Sequence, residues 1–221
     1  MRLLVAVTTC VKDIQKGCNQ AIRDTWAKDF SGVDVRFFRG QSDLRDSFGS
    51  SDEIVLNCPD DYDGLPFKTR RLAEFVVQNG YDFLYKADTD TFLKPDRLLS
   101  CGFEQYDYAG KFVPPNFTVG RAMQDLKDER GIRHSISYPW ASGGVGYFLS
   151  RRACELVART EPTHWAEDFW VGQLLSQNQR EYRLCDLPNF EGTVSWHHCS
   201  TGQKREFNPT WMYDAYRKGQ P

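Results

Sequence analysis

Leu3-Leu4-Val5-Ala6-Val7-Thr8 is an apolar, β-branched run without polar alternation, the pattern of a strand covered on both faces. Between Cys18 and Asp29, Ala21, Ile22 and Trp26 recur at helical spacing, and Val33 to Phe38 returns to strand character, which makes a first β-α-β unit. Ile54-Val55-Leu56 reads as the next strand. Phe67 to Gln78 sets Leu72, Phe75 and Val76 on one helical face until Gly80 stops the helix, and Tyr81 to Tyr85 is a fourth strand. Strands alternating with helices predict an α/β fold with a mostly parallel central sheet, whose ligands sit beyond the carboxyl ends of the strands. Asp88-Thr89-Asp90 falls at such an end.

The second half is less regular. It holds a polar stretch from Asn116 to Ser137, a glycine-rich patch at 142–146, helices near 150–160 and 167–178, and a late strand near 193–197. The polar stretch, with Arg121, Lys127, Arg130 and Arg133, reads as a solvated helix in preference to an acceptor loop. A length of 221 residues with 40% hydrophobic content suits a single domain, 1–221.

A net charge of -2 with both signs spread along the chain supplies no overall basic field for nucleic acid, leaving only a local basic groove. Seven cysteines, at 10, 18, 58, 101, 154, 185 and 199, include no Cys-x-x-Cys pair and cannot all pair internally, so they read as buried or reduced thiols. Lys12 and Asp13 interrupt the apolar start too soon for a signal peptide, and no run nears the roughly 18 apolar residues of a membrane span. The expectation is a soluble, cytoplasmic protein with no transmembrane segment, although a truncated secretory-pathway enzyme would read the same way. Asn116-Phe117-Thr118 fits a glycosylation acceptor that only a secretory protein would use, and chance explains it more simply.

Two carboxylates on alternate residues of an extended segment face the same way. Asp88 and Asp90 would therefore offer hard oxygen ligands to Mn²⁺ or Mg²⁺, which would neutralise a departing diphosphate. Acidic triplets also occur often on surfaces, but Phe83-Leu84-Tyr85 before this one and Phe92-Leu93 after it argue against a plain loop. Glu167-Asp168 precedes Phe169-Trp170-Val171-Gly172, so the pair opens a helix, as a dipole-matched N-terminus or as a general base. Tyr138-Pro139-Trp140 followed by Ala141-Ser142-Gly143-Gly144-Val145-Gly146 is either a turn with core aromatics or a sugar-stacking surface with close backbone approach. Of the adjacent His197 and His198, at most one reaches a metal, because neighbours on a strand face opposite ways.

Taken in order, these segments resemble glycosyltransferase family 31, the β-1,3-galactosyl, β-1,3-N-acetylglucosaminyl and Fringe-like transferases. Ala21-Ile22-Arg23-Asp24-Thr25-Trp26 is similar to the family's Ile-Arg-x-Thr/Ser-Trp motif, and Asp61-Tyr62 through Leu65, Lys68 and Thr69 to its Asp-x-Tyr-x-x-Leu-x-x-Lys-Thr segment. Lys86-Ala87-Asp88-Thr89-Asp90 resembles the metal motif, Tyr138-Pro139 through Ser142-Gly143-Gly144 the Tyr-Pro and Ser-Gly-Gly segment, and Glu167 to Gly172 the Glu-Asp-Val-x-x-Gly motif. The resemblance implies a GT-A type nucleotide-diphospho-sugar transferase fold, a UDP-sugar donor, Mn²⁺ (Mg²⁺ as the alternative) and inversion by single displacement. It implies a nucleotide-binding half at 1–95 and an acceptor and catalytic-base half at 96–221. On it Asp168 is the base, Thr8, Arg23, Asp61, Lys68, Asp88, Thr89, Gly143 and Gly144 hold the donor, and Trp140, Glu167 and Trp170 meet the acceptor. Asp90 and Asp88 with His197 or His198 would bind the metal.

The chain departs from the family at Ala141, where many members carry a cysteine, at Val145 in place of a third glycine, and at Phe169 in place of valine after the base. The transferred sugar therefore does not carry over. The rival readings are a nucleotidyltransferase on a similar sheet and a non-catalytic nucleotide-sugar-binding module; intact Asp88, Asp90 and Asp168 speak against the second. A glycan is the first expectation for the acceptor and a modified nucleobase in DNA the outsider.

Overall fold

The computed structural model describes residues 1–41, 50–113, 138–198 and 207–219. The polar stretch with Arg121, Lys127, Arg130 and Arg133, the Asn116 sequon and Cys199 lie outside them.

The chain opens with β1 (Leu3–Thr8), α1 (Val11–Gln15) and α2 (Cys18–Asp24), followed by a 3₁₀ turn (Trp26–Asp29). The helix expected over Cys18 to Asp29 thus breaks at Thr25, whose backbone leaves the helical region and whose hydroxyl bonds back to the Ala21 carbonyl at 2.6 Å. Next come β2 (Asp34–Gln41), β3 (Glu53–Pro59), α3 (Leu65–Gln78), β4 (Phe83–Asp88), β5 (Thr91–Leu93) and α4 (Pro95–Leu99). The remainder is β6 (Tyr108–Gly110), β7 (Phe112–Val113), β8 (Trp140–Ala141), β9 (Tyr147–Ser150), α5 (Arg151–Arg159), α6 (Glu167–Gln177), β10 (Leu184–Asp186), β11 (Ser195–His197) and α7 (Thr210–Lys218).

Seven strands form the central sheet in the order β10-β6-β9-β4-β1-β2-β3. All its pairings are parallel except the two made by β9, which runs antiparallel to β4 and β6. The fold is α/β of the GT-A type with a mostly parallel sheet. β1 shows why its sequence lacks alternation: Leu4 and Ala6 enter one core with Leu72 and Val76 of α3 and Val171 of α6, while Leu3, Val5 and Val7 enter another with Ala21, Ile22, Trp26 and Met212. Both faces are dry, so both sets of side chains are apolar. No helix among the described residues is long and apolar enough to cross a membrane.

Because β9 is reversed, its first residue, Tyr147, pairs with Lys86 near the carboxyl end of β4. The glycine turn before β9 is thereby delivered to the same sheet edge as Asp88. Two small antiparallel ribbons finish that edge: β5 with β11, which sets His197 opposite Thr91, and β7 with β8, which sets Ala141 opposite Phe112.

Candidate functional site

A cleft of about 530 Å³ opens beyond the carboxyl ends of β1 and β4, within the size range of ligand pockets. Its lining includes Thr8, Thr9, Lys12, Asp13, Asp61, Tyr62, Lys68, Asp88, Thr89 and Asp90.

Asp88 ends β4, and its Oδ1 accepts from Thr8 Oγ1 at 2.6 Å and from Lys86 Nζ at 2.8 Å. Burial works against its charge, but the Lys86 ammonium outweighs this and holds the carboxyl below its ordinary pKa. Asp90 is not on an extended segment as the alternation argument assumed. The chain turns at Thr89-Asp90, held by Asp88 N–H donating to Thr91 Oγ1 at 3.1 Å and by Thr91 Oγ1 donating to the Gly144 carbonyl at 2.8 Å. The turn still leaves both carboxylates in the cleft.

His197 Nε2 lies 3.1 Å from Asp90 Oδ2. Burial disfavours the charged ring, yet the Asp90 hydrogen bond raises its pKa overall. His198 points elsewhere: it is buried, with its ring edge-on to Phe207 and Trp211. Among the described residues no three His, Cys, Asp or Glu side chains converge as a metal cluster. One carboxylate and one imidazole are nonetheless a fitting protein donor set for a hard divalent ion that takes its other ligands from water and phosphate oxygens.

Lys68 is buried at the cleft wall, its Nζ donating to the Thr9 carbonyl at 2.8 Å and to Asp60 Oδ1 at 3.1 Å. Asp60 also accepts from the backbone N–H of Gly40 and Val11, both within 2.8 Å, so one carboxylate ties three segments beneath the cleft. Asp61 lines the cleft and accepts from Gly64 N–H at 2.7 Å. Thr89 donates to Asp13 Oδ2 at 2.9 Å.

Asp168 sits in the first turn of α6, outside the lining of this cleft but within electrostatic reach of Tyr62, which lines it. Its Oδ2 accepts from Gly143 N–H at 3.1 Å and its Oδ1 from Phe169 N–H at 2.9 Å. Burial, then the neighbouring Glu167 charge, push its carboxyl up to about 7, against the pull of the Gly143 amide. The glycines press on side chains of the site: a Cβ on Gly143 would lie 2.6 Å from Glu167 Oε1, and one on Gly144 would lie 2.6 Å from the His197 ring.

Several residues are not placed as the sequence suggested. Arg23 does not line the cleft; its guanidinium binds Asp52 at 2.8 Å and Glu53 at 2.7 Å and lies over the Phe37 ring. Trp140 and Trp170 are 2% and 1% exposed and belong to the core, because Gly172 lets α6 approach the Trp140 backbone. Glu167, expected at the acceptor, is buried: Oε1 is 2.9 Å from Lys86 Nζ, and Oε2 accepts from Tyr147 OH at 2.7 Å and Thr69 Oγ1 at 3.3 Å. Val145 and Phe169 are also buried.

Lys86, Asp60 and Asp13 were missed. A lysine inside an otherwise apolar strand was the available signal for Lys86. Burial alone would strip its proton, but Asp88 and Glu167 keep it charged.

A family model described as galactosyltransferase matches residues 19–183. A probable beta-1,3-galactosyltransferase 13 of Arabidopsis thaliana is 33% identical over a stretch covering 37% of this chain and 29% of that protein. The match thus spans less than a third of the relative's length. Among solved structures, A197 from STIV is similar at a TM-score of 0.41 and 12% identity, covering 83% of this chain and 80% of that one. A CMP:2-keto-3-deoxy-manno-octonic acid synthetase complexed with CTP is similar at 0.45 and 14% identity, covering 84% and 89%.

Proposed function

The chain belongs to the galactosyltransferase family, which it matches over residues 19–183 of its 221, and from that premise we propose that it moves a hexose or N-acetylhexosamine from a UDP-sugar to an acceptor hydroxyl in a metal-dependent, inverting reaction. One observation carries the reading. Asp88 and Asp90, with His197 on Asp90, share a cleft with the buried ammonium of Lys68, and the raised-pKa carboxyl of Asp168 stands one buried ion bridge away, through Lys86 and Glu167.

Asp90 and His197 would hold the divalent ion, Mn²⁺ or Mg²⁺, with Asp88 beside them. When bound, such an ion neutralises charge that develops on a departing diphosphate. Lys68 spends two of its three N–H donors on Thr9 and Asp60, which leaves one for a phosphate oxygen. Thr8 and Lys86 hold Asp88 ionised and oriented. Asp168, poised near neutral pH, takes the proton from the acceptor hydroxyl as that oxygen attacks the anomeric carbon opposite the leaving group. A single displacement of this kind inverts the centre. The acceptor in this reading is a glycan, with a modified nucleobase in DNA as the less favoured choice.

The test is UDP release from a panel of UDP-sugars with Mn²⁺, with and without EDTA. Release from one donor that EDTA abolishes is expected. Release that EDTA leaves untouched, or pyrophosphate formed from UTP and a sugar 1-phosphate with no UDP released from any UDP-sugar, would overturn the proposal.

A further inference from the structure

Resting on that reading, we infer that Lys86, Glu167 and Tyr147 are positioning residues of the transfer: they hold the start of α6 so that the Asp168 carboxylate meets the glycine turn, and they tie that carboxylate to Asp88 as one unit.

The geometry brings three elements onto Glu167. Lys86 reaches it from near the carboxyl end of β4, Tyr147 from the start of β9, and Thr69 from α3, while Glu167 itself opens α6. Lys86 and Tyr147 are direct partners in the β4–β9 ladder, so their side chains rise from adjacent points on the sheet. Lys86 Nζ also meets Asp88 Oδ1 at 2.8 Å. The Gly143 backbone is pressed close to Glu167 Oε1 while its N–H serves Asp168 Oδ2. A displacement of Glu167 therefore moves both the helix turn that carries Asp168 and the loop that hydrogen-bonds it.

A buried ion pair is weak grounds for stability, because its desolvation cost cancels much of its attraction and an apolar replacement often does as well. Two charges of opposite sign beside a base have a second effect, which is signed. Glu167 opposes ionisation of Asp168, and Lys86 favours it. The tyrosines Tyr147 on β9, Tyr108 on β6 and Tyr62 ahead of α3 also sense the Asp168 charge. Each of them is held neutral by burial first. Glu167 and Lys86 are thus the two charged levers on the base, and they push in opposite directions.

The experiment follows the Asp168 carboxyl directly. Protein labelled with ¹³C at aspartate carboxyls is titrated by NMR, with the Asp168 signal identified by its loss in Asp168→Asn. UDP release from UDP-galactose with Mn²⁺ is measured across the same pH range. Glu167→Gln should lower the titration midpoint and the acid limb of the activity profile by about one pH unit or more, and Lys86→Met should raise both. The double variant should fall between. A residue that only supports the fold would lower activity in each variant without a signed shift. If Lys86→Met fails to fold, Glu167→Gln decides, since it leaves Lys86 paired with Asp88. A midpoint and limb unmoved in Glu167→Gln, or moved upward, overturn the inference. If the midpoint moves as expected while no protein releases UDP, the transfer reading falls and the positioning network stands.

Discussion

Gly144→Ala is a small change at a point where the backbone has no room. The added carbon would lie 2.6 Å from both Cε1 and Nε2 of His197, and ordinary contact begins at 3.4 Å, so the ring must retreat by about 0.8 Å. His197 is 23% exposed at its side chain and can move, but Nε2 is the atom that meets Asp90 at 3.1 Å. Over-packing of this kind costs about 1–3 kcal/mol, which a domain of this size tolerates. The expected result is a folded protein that has lost one ligand orientation, with apparent Mn²⁺ affinity lowered about 10–100-fold, the range seen when the surroundings of a metal ligand are disturbed. The assay is UDP release titrated with Mn²⁺, alongside thermal melting, with His197→Ala as reference. If Gly144→Ala keeps the wild-type Mn²⁺ dependence while His197→Ala loses it, the ring does not occupy its place because of the glycine. If neither variant changes it, His197 is not a ligand.

Asp168→Asn should cut turnover by about 10²–10⁴-fold while UDP binding measured by calorimetry stays near wild type; near-normal turnover would remove Asp168 from the base role. Turnover of the wild type should fall as pH drops through about 7, because the carboxyl must be ionised to accept a proton. The same group affects stability with the opposite sign: its folded pKa lies above the unfolded one, so ionisation favours the unfolded chain as pH rises from about 4 to about 7. Asp168→Asn should therefore melt higher than wild type at pH 8, by on the order of 2 kcal/mol once the solvent contact of the carboxyl is allowed for, with the advantage gone at pH 4; equal melting at both would contradict the burial argument. Trp26→Phe removes the indole N–H bond to the Thr91 carbonyl at 3.1 Å and shrinks a fully buried ring, and should cost about 1–3 kcal/mol in a denaturant melt; an unchanged melt would refute the packing and hydrogen-bond argument.

In the first half β1 to β4, α2 and α3 were legible because apolar runs and helical spacing leave a clear signature, whereas the short α1, β5 and α4 were not read. β1, α3 and β4 are bounded by residues whose local physics is strong, such as Gly80 at a positive φ. Of the cleft's aspartates, Asp88 and Asp90 were legible for a similar reason, since a carboxylate next to an apolar strand needs a task, whereas Asp13 and Asp60 were not. What the periodicity does not carry is pairing across the chain. Glu167 was read as facing an acceptor, yet its partners come from α3, β4 and β9, and no local pattern reveals that a lysine in β4 waits for it. Trp140 and Trp170 misled in the same way. Aromatics beside glycines read as an open binding surface, but here Gly172 admits Trp140 to within 2.3 Å of where its Cβ would be, and the glycine makes an interior contact possible.

The ion bridge of Lys86 with Asp88 and Glu167 also bears on how this chain can vary. Removing one member of the buried Lys86–Glu167 pair costs about 3–5 kcal/mol, and removing the partly exposed Asp88 costs less, whereas exchanging all members for apolar groups of like volume is often neutral. Single steps away from the trio cross a deep valley, and the low ground on the far side is reached only by joint change. A library that varies these three positions one at a time would recover the starting residues at each and report them as fixed, while one that varies them together would sample folded alternatives that no single-site scan can visit.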